Sequence, residues 1–88
     1  MSEPDAGDLI TIIGKSMGYV LALPPLAATD DFFGAGGDSY RAMEVLSELV
    51  VRYGPDDSAR AERLHEELVL AMFDDSTPQA LAVVFERY

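Results

Sequence analysis

Apolar residues recur at helical spacing in four stretches of the chain, and no stretch sustains the alternation of a strand. From about Asp8 to Leu21, placed at ~100° per residue, Leu9, Ile10, Ile12, Ile13, Met17 and Val20 share one broad side. Thr11, Gly14, Lys15, Gly18 and Tyr19 take the other. Asp5 and Asp8 stand near the positive end of this amphipathic helix. Gly14 and Gly18 each weaken it by about 1 kcal/mol relative to Ala, and nothing in the sequence accounts for them. Residues 1–7 read as a frayed acidic lead. Leu23-Pro24-Pro25-Leu26 closes the helix, because proline disfavours helical geometry in the residue before it.

A long loop then runs to Asp38. Unstructured loops of that length are functional or pinned by their own side chains, and Phe32 and Phe33 are the natural pins, with Leu26 assisting. The second helix starts at or beside Ser39, read as its N-cap, and continues to about Tyr53. Its buried stripe is Ala42, Val45, Leu46, Leu49, Val50 and Tyr53; Arg41, Glu44, Glu48 and Arg52 lie opposite. Tyr40 projects away from the core and Met43 lies at its edge. Gly54-Pro55-Asp56-Asp57-Ser58 turns the chain, with Asp57 or Ser58 as the next N-cap. Ala61, Leu64, Leu68, Ala71 and Met72 share a face, which predicts helix over much of residues 59–72. Phe73 is expected to turn inward. Thr77 as N-cap and Pro78 at the first helical position open a last helix with Leu81, Val84, Phe85 and Tyr88 as its stripe. The predicted fold is an all-α four-helix bundle with a long loop between helices 1 and 2.

At 88 residues there is room for one small domain, residues 1–88, with a core so limited that every amphipathic segment must share it. The absence of cysteine excludes disulfides, thiolate metal ligands and a cysteine nucleophile. No apolar run approaches the roughly 20 residues of a membrane span, and the acidic N-terminus has no signal-peptide character, so a cytoplasmic protein is expected. The net charge of −10 opposes nucleic acid and anionic membrane and suits partners with basic docking surfaces. A hydrophobic content of 49% is too high for a disordered chain.

Candidate chemistry gathers in Asp30-Asp31-Phe32-Phe33-Gly34-Ala35-Gly36-Gly37-Asp38-Ser39-Tyr40. The glycines allow positive φ and close approach. Ser39 sits on exposed amides at the positive end of a helix, where a phosphate is stabilised. Gly14-Lys15-Ser16 has the ending of a phosphate-binding loop, but Leu9 stands where the motif needs its first glycine, and the run lies inside a helix. A serine hydrolase built on Ser39, His65 and an Asp lacks both a Gly-x-Ser-x-Gly elbow and a strand before the serine. A bundle that only docks partners leaves the Phe-Phe and Gly-Gly-Asp-Ser combination unexplained.

Asp31-Phe32-Phe33 followed by Gly36-Gly37-Asp38-Ser39 resembles the thiolation signature of peptidyl carrier proteins from nonribosomal peptide synthesis. Val20-Leu21-Ala22-Leu23 resembles the end of that family's first helix, and Leu70 to Pro78 the run entering its last. The resemblance implies a non-catalytic carrier with 4′-phosphopantetheine, drawn from coenzyme A, attached covalently to Ser39. It implies a phosphopantetheinyl transferase and adenylation, condensation or other tailoring enzymes as partners, and a monomer. On the same ground Gly37 permits close approach of the transferase, Asp38 helps cap the helix or contacts a partner, and Tyr40 and Met43 form a docking patch beside the serine. Carriers of this family usually have a loop and only a short third helix where this chain places strong helix formers. A polyketide-type acyl carrier is the alternative; the mixed charge of the second helix favours the peptidyl type. Met1, together with a last helix that runs to the end of the chain, fits a freestanding carrier, although an excised domain with an added start codon would read the same way.

Overall fold

The computed structural model describes residues 6–88, in four helices: α1 Ala6–Leu21, α2 Ser39–Tyr53, α3 Ser58–Asp74 and α4 Pro78–Phe85. The predicted all-α bundle is the observed one, and no strand occurs among the described residues. The helices form a ring in which α1 packs on α2 and α4, and α3 packs on α2 and α4. The apolar stripes meet at its centre, where Ile13, Met17, Leu46, Leu49, Leu64, Leu68, Met72 and Leu81 are buried. Burying a side chain of that size contributes roughly 1.5–3 kcal/mol, so each helix is held by its stripe more than by its own propensity. The lead expected over residues 1–7 lies outside the described residues as far as residue 5; Ala6 and Gly7 already belong to α1.

Several expectations change on contact with the packing. The glycine side of α1 is buried against the segment that follows it. A Cβ on Gly14 would stand 2.2 Å from the carbonyl oxygen of Leu26, and one on Gly18 would stand 2.5 Å from that of Pro24. The chain doubles back over α1 there: Leu23 N–H donates to Gly18 O at 2.8 Å and Leu26 N–H to Gly14 O at 3.0 Å. The reversal passes through Ala22 at φ +57°, a left-handed position usually filled by glycine. Both helix glycines are therefore explained by a close backbone crossing.

Helix α3 fills the predicted stretch and exceeds it at both ends, so the short third helix usual in the resembled family is replaced by a full one. Asp57 takes the N-cap position, without a side-chain cap bond. Tyr53, expected in the buried stripe of α2, is exposed, because it stands at the rim of a cleft shared with Ser16 and Tyr19 of α1. Phe73 does not turn inward; it is 55% exposed and stacks on Phe33, with ring centroids 5.4 Å apart. Thr77 and Pro78 open α4 as predicted, with Thr77 Oγ1 accepting from Ala80 N–H at 3.3 Å. After α4, Tyr88 donates its phenol proton to Glu67 of α3, and Arg87 reaches the same carboxylate at 3.0 Å.

Candidate functional site

Phe32 is the centre of the long connection, fully buried under it. Its N–H donates to the carbonyl of Ser76 at 2.9 Å, which ties the connection to the turn between α3 and α4. Its carbonyl accepts Gly37 N–H at 3.0 Å, and a Cβ on Gly37 would lie 2.3 Å from its ring. The missing side chain at Gly37 thus has a reason inside the fold: the backbone must lie flat on the Phe32 ring. Asp31 organises the turn itself. Its carboxylate accepts Gly34 N–H at 2.9 Å and the hydroxyl of buried Ser76, and its carbonyl accepts Ala35 N–H at 2.9 Å. Gly36, at φ +110°, supplies the left-handed step that aims the chain at α2.

Asp38 then caps α2. Its extended backbone and side chain fit the role: Oδ1 accepts Arg41 N–H at 2.8 Å, and Oδ2 pairs with the Arg41 guanidinium at 2.8 Å. The expectation that Ser39 is the cap is corrected. Ser39 is the first residue of the helix proper, and it is exposed. Its amide and that of Tyr40 lie at positions without an intrahelical acceptor, at the positive end of the α2 dipole. The structure therefore brings Gly37, Asp38 and Ser39 together on a short, rigid approach.

The other candidates divide. Tyr40 is 76% exposed, but Met43 is only half exposed and packs against the core. His65 lines a groove with Ser47, Val50 and Val51, about 12 Å further along α2 than Ser39 at ~1.5 Å per residue. That separation removes any Ser39–His65 couple. Gly14-Lys15-Ser16 lies within α1, as its periodicity requires. No group of metal-ligating side chains occurs among the described residues, and no helix there is long and apolar enough to cross a membrane. Sequence reasoning missed Ser76. Its visible signal was only a helix start, and its pairing with Asp31, forty-five residues away, has no local signature.

The family model described as the phosphopantetheine attachment site matches residues 8–82, a span that contains the whole connection and Ser39. The chain belongs to that family. The family is described by the attachment of phosphopantetheine, so this chain is a carrier of that group. A stretch of 68 residues, 77% of the chain, is 38% identical to Tyrocidine synthase 3 of Brevibacillus parabrevis. The chain spans about 1% of that relative's length. No solved structure matches the chain significantly.

The residues present fit such an arm. A phosphodiester on Ser39 would sit against first-turn amides, and the neighbouring Asp38 carboxylate is paired with Arg41.

Proposed function

We propose that the chain is a peptidyl or aminoacyl carrier, itself non-catalytic, whose Ser39 bears the 4′-phosphopantetheine arm. The observation that carries this reading is the exposed Ser39 hydroxyl at the head of α2, on a connection fixed by Phe32, Asp31 and Ser76. A phosphopantetheinyl transferase would supply coenzyme A, Mg²⁺ and a base. The Ser39 oxygen bonds to phosphorus, its proton passes to the transferase's base, and adenosine 3′,5′-bisphosphate leaves. When attached, the arm supplies a terminal thiol that holds its load as a thioester.

Each neighbouring residue has a part in this. Asp38 holds the first turn and keeps its carboxylate engaged with Arg41, away from the phosphodiester. Gly37 keeps the approach to Ser39 low. Tyr40 is a docking contact for partner enzymes, and Met43 sets its base against the core. Gly36-Gly37-Asp38-Ser39, the mixed charge of α2 and the likeness to a tyrocidine synthase segment support peptidyl over polyketide-type cargo. We propose that this carrier is a monomer in the cytoplasm, where coenzyme A is available.

The experiment that tests the cargo loads the holo-protein in two arms. One supplies amino acids, ATP and adenylating enzymes, and the other a malonyl donor with its transferase. Aminoacyl thioester in the first arm alone is expected; malonyl loading alone would overturn the peptidyl assignment.

A further inference from the structure

The flank of α2 turned towards α1 carries a feature that loading at Ser39 does not use. A cleft of about 320 Å³ opens there, between Lys15, Ser16 and Tyr19 of α1 and Leu49, Arg52 and Tyr53 of α2. Its floor is apolar, formed by buried Leu49 with Ile12 beside it. Its rim carries two tyrosines, Tyr19 being 85% exposed and Tyr53 37%.

The charge at the cleft is opposite to that of the molecule. The chain has six basic and sixteen acidic residues, yet the cleft is lined by two of the six, Lys15 and Arg52, against one acid, Glu48. Lys15 makes no ion pair among the described residues. Arg52 holds Glu48 through a single exposed contact of 3.6 Å, which an incoming carboxylate can replace. An apolar floor below two tyrosines with an arginine beside them has the composition of a protein interface hot spot.

We infer that the α1–α2 cleft docks a segment of a partner protein in which an apolar side chain is flanked by carboxylates. The apolar side chain enters between Tyr19 and Tyr53 onto Leu49, and the carboxylates meet Lys15 and Arg52. The floor of the cleft, at Leu49, lies about 15 Å along α2 from Ser39 at ~1.5 Å per residue, so a partner held there leaves the serine free. The inference stands independently of what Ser39 carries.

The test uses the whole, unmodified chain, labelled with ¹⁵N, and two capped peptides. The probe is Asp-Leu-Phe-Glu and the control is Lys-Leu-Phe-Lys. The probe is expected to produce saturable shift changes at Lys15, Ser16, Tyr19 and residues 49–53, and the control none there. Lys15→Glu combined with Arg52→Glu should weaken the probe by roughly tenfold, as the loss of two exposed ion pairs predicts. Both side chains are exposed, so the fold should persist, as a circular dichroism spectrum will verify. No saturable change at the cleft, equal binding of the control, or an unaffected double variant would each overturn the proposal.

Discussion

The carbonyl oxygen of Ser76 accepts the N–H of Phe32 at 2.9 Å, and the hydroxyl of the same Ser76 donates to the carboxylate beside Phe32, that of Asp31. One buried serine thereby fixes both the ring that floors the connection and the carboxylate that shapes its turn. Ser76→Ala keeps the backbone bond but strips Asp31 of its buried partner and removes the hydroxyl that Phe33 N–H reaches at 3.4 Å. We expect a loss of about 1–2 kcal/mol, seen as a melting temperature lower by roughly 4–16 °C for a domain of this size. Amide exchange should quicken at residues 32–37. An unchanged melting temperature would show that the hydroxyl contributes nothing.

Helix α1 should answer to two substitutions against the direction of helix propensity. Propensity alone predicts that Gly14→Ala gains about 1 kcal/mol. The Leu26 carbonyl at 2.2 Å from the added Cβ makes it a loss instead, about 1–3 kcal/mol by overpacking. Ala22→Gly should stabilise the protein by roughly 1 kcal/mol, because it relieves a left-handed alanine at the helix end. Chemical denaturation of both variants checks the pair of signs.

The acid and alkaline limbs of stability should both depend on Tyr88. Its hydrogen bond holds the Glu67 carboxyl below its ordinary 4.5, with Arg87 assisting, while partial burial opposes the shift. The same bond raises the Tyr88 phenol above 10.0. A carboxyl lowered on folding contributes stability that is present above 4.5 and lost as pH falls through the folded value. A phenol raised on folding contributes stability that is present below 10.0 and lost as pH rises through its folded value. Tyr88→Phe should therefore reduce the fall in melting temperature below pH 4.5 and the fall above pH 10.0. An unchanged pH profile would mean the contact is not made in solution.

Most of the fold was legible because each helix announces its buried face. Leu64, Leu68 and Met72 recur at helical spacing behind a turn, and α3 forms there in full. Thr77-Pro78 is a local signal, and α4 starts on it. The features that were not legible depend on contacts between distant segments. Gly14 and Gly18 look like weaknesses until the carbonyls of Leu26 and Pro24 are laid across them. Phe73 is apolar and ends a helix, yet its partner is a loop ring at the surface and not the core. At the site, Gly36 to Ser39 stood out by composition and Asp38 was already expected to help cap the helix, but Ser39 is the first residue of α2 and not a cap. Only backbone geometry distinguishes the two.

Tyr40 and Met43 should separate docking from packing. Tyr40→Ser is expected to leave the melting temperature nearly unchanged, since surface substitutions stay within about 0.5 kcal/mol, and to slow loading by partner enzymes. Met43→Ser should also cost stability, because that side chain lies against the core. Unaltered loading in the Tyr40 variant would place docking elsewhere.

The central claim is that Ser39 alone receives the arm, and intact mass tests it most directly. Incubation with coenzyme A, Mg²⁺ and a broad-specificity transferase should add one phosphopantetheinyl group to the protein and none to Ser39→Ala. The variant should remain folded, because the cap belongs to Asp38 and an exposed first-turn substitution costs within about 0.5 kcal/mol. A mass gain retained in folded Ser39→Ala, or no gain in the parent with an active transferase, would contradict the account.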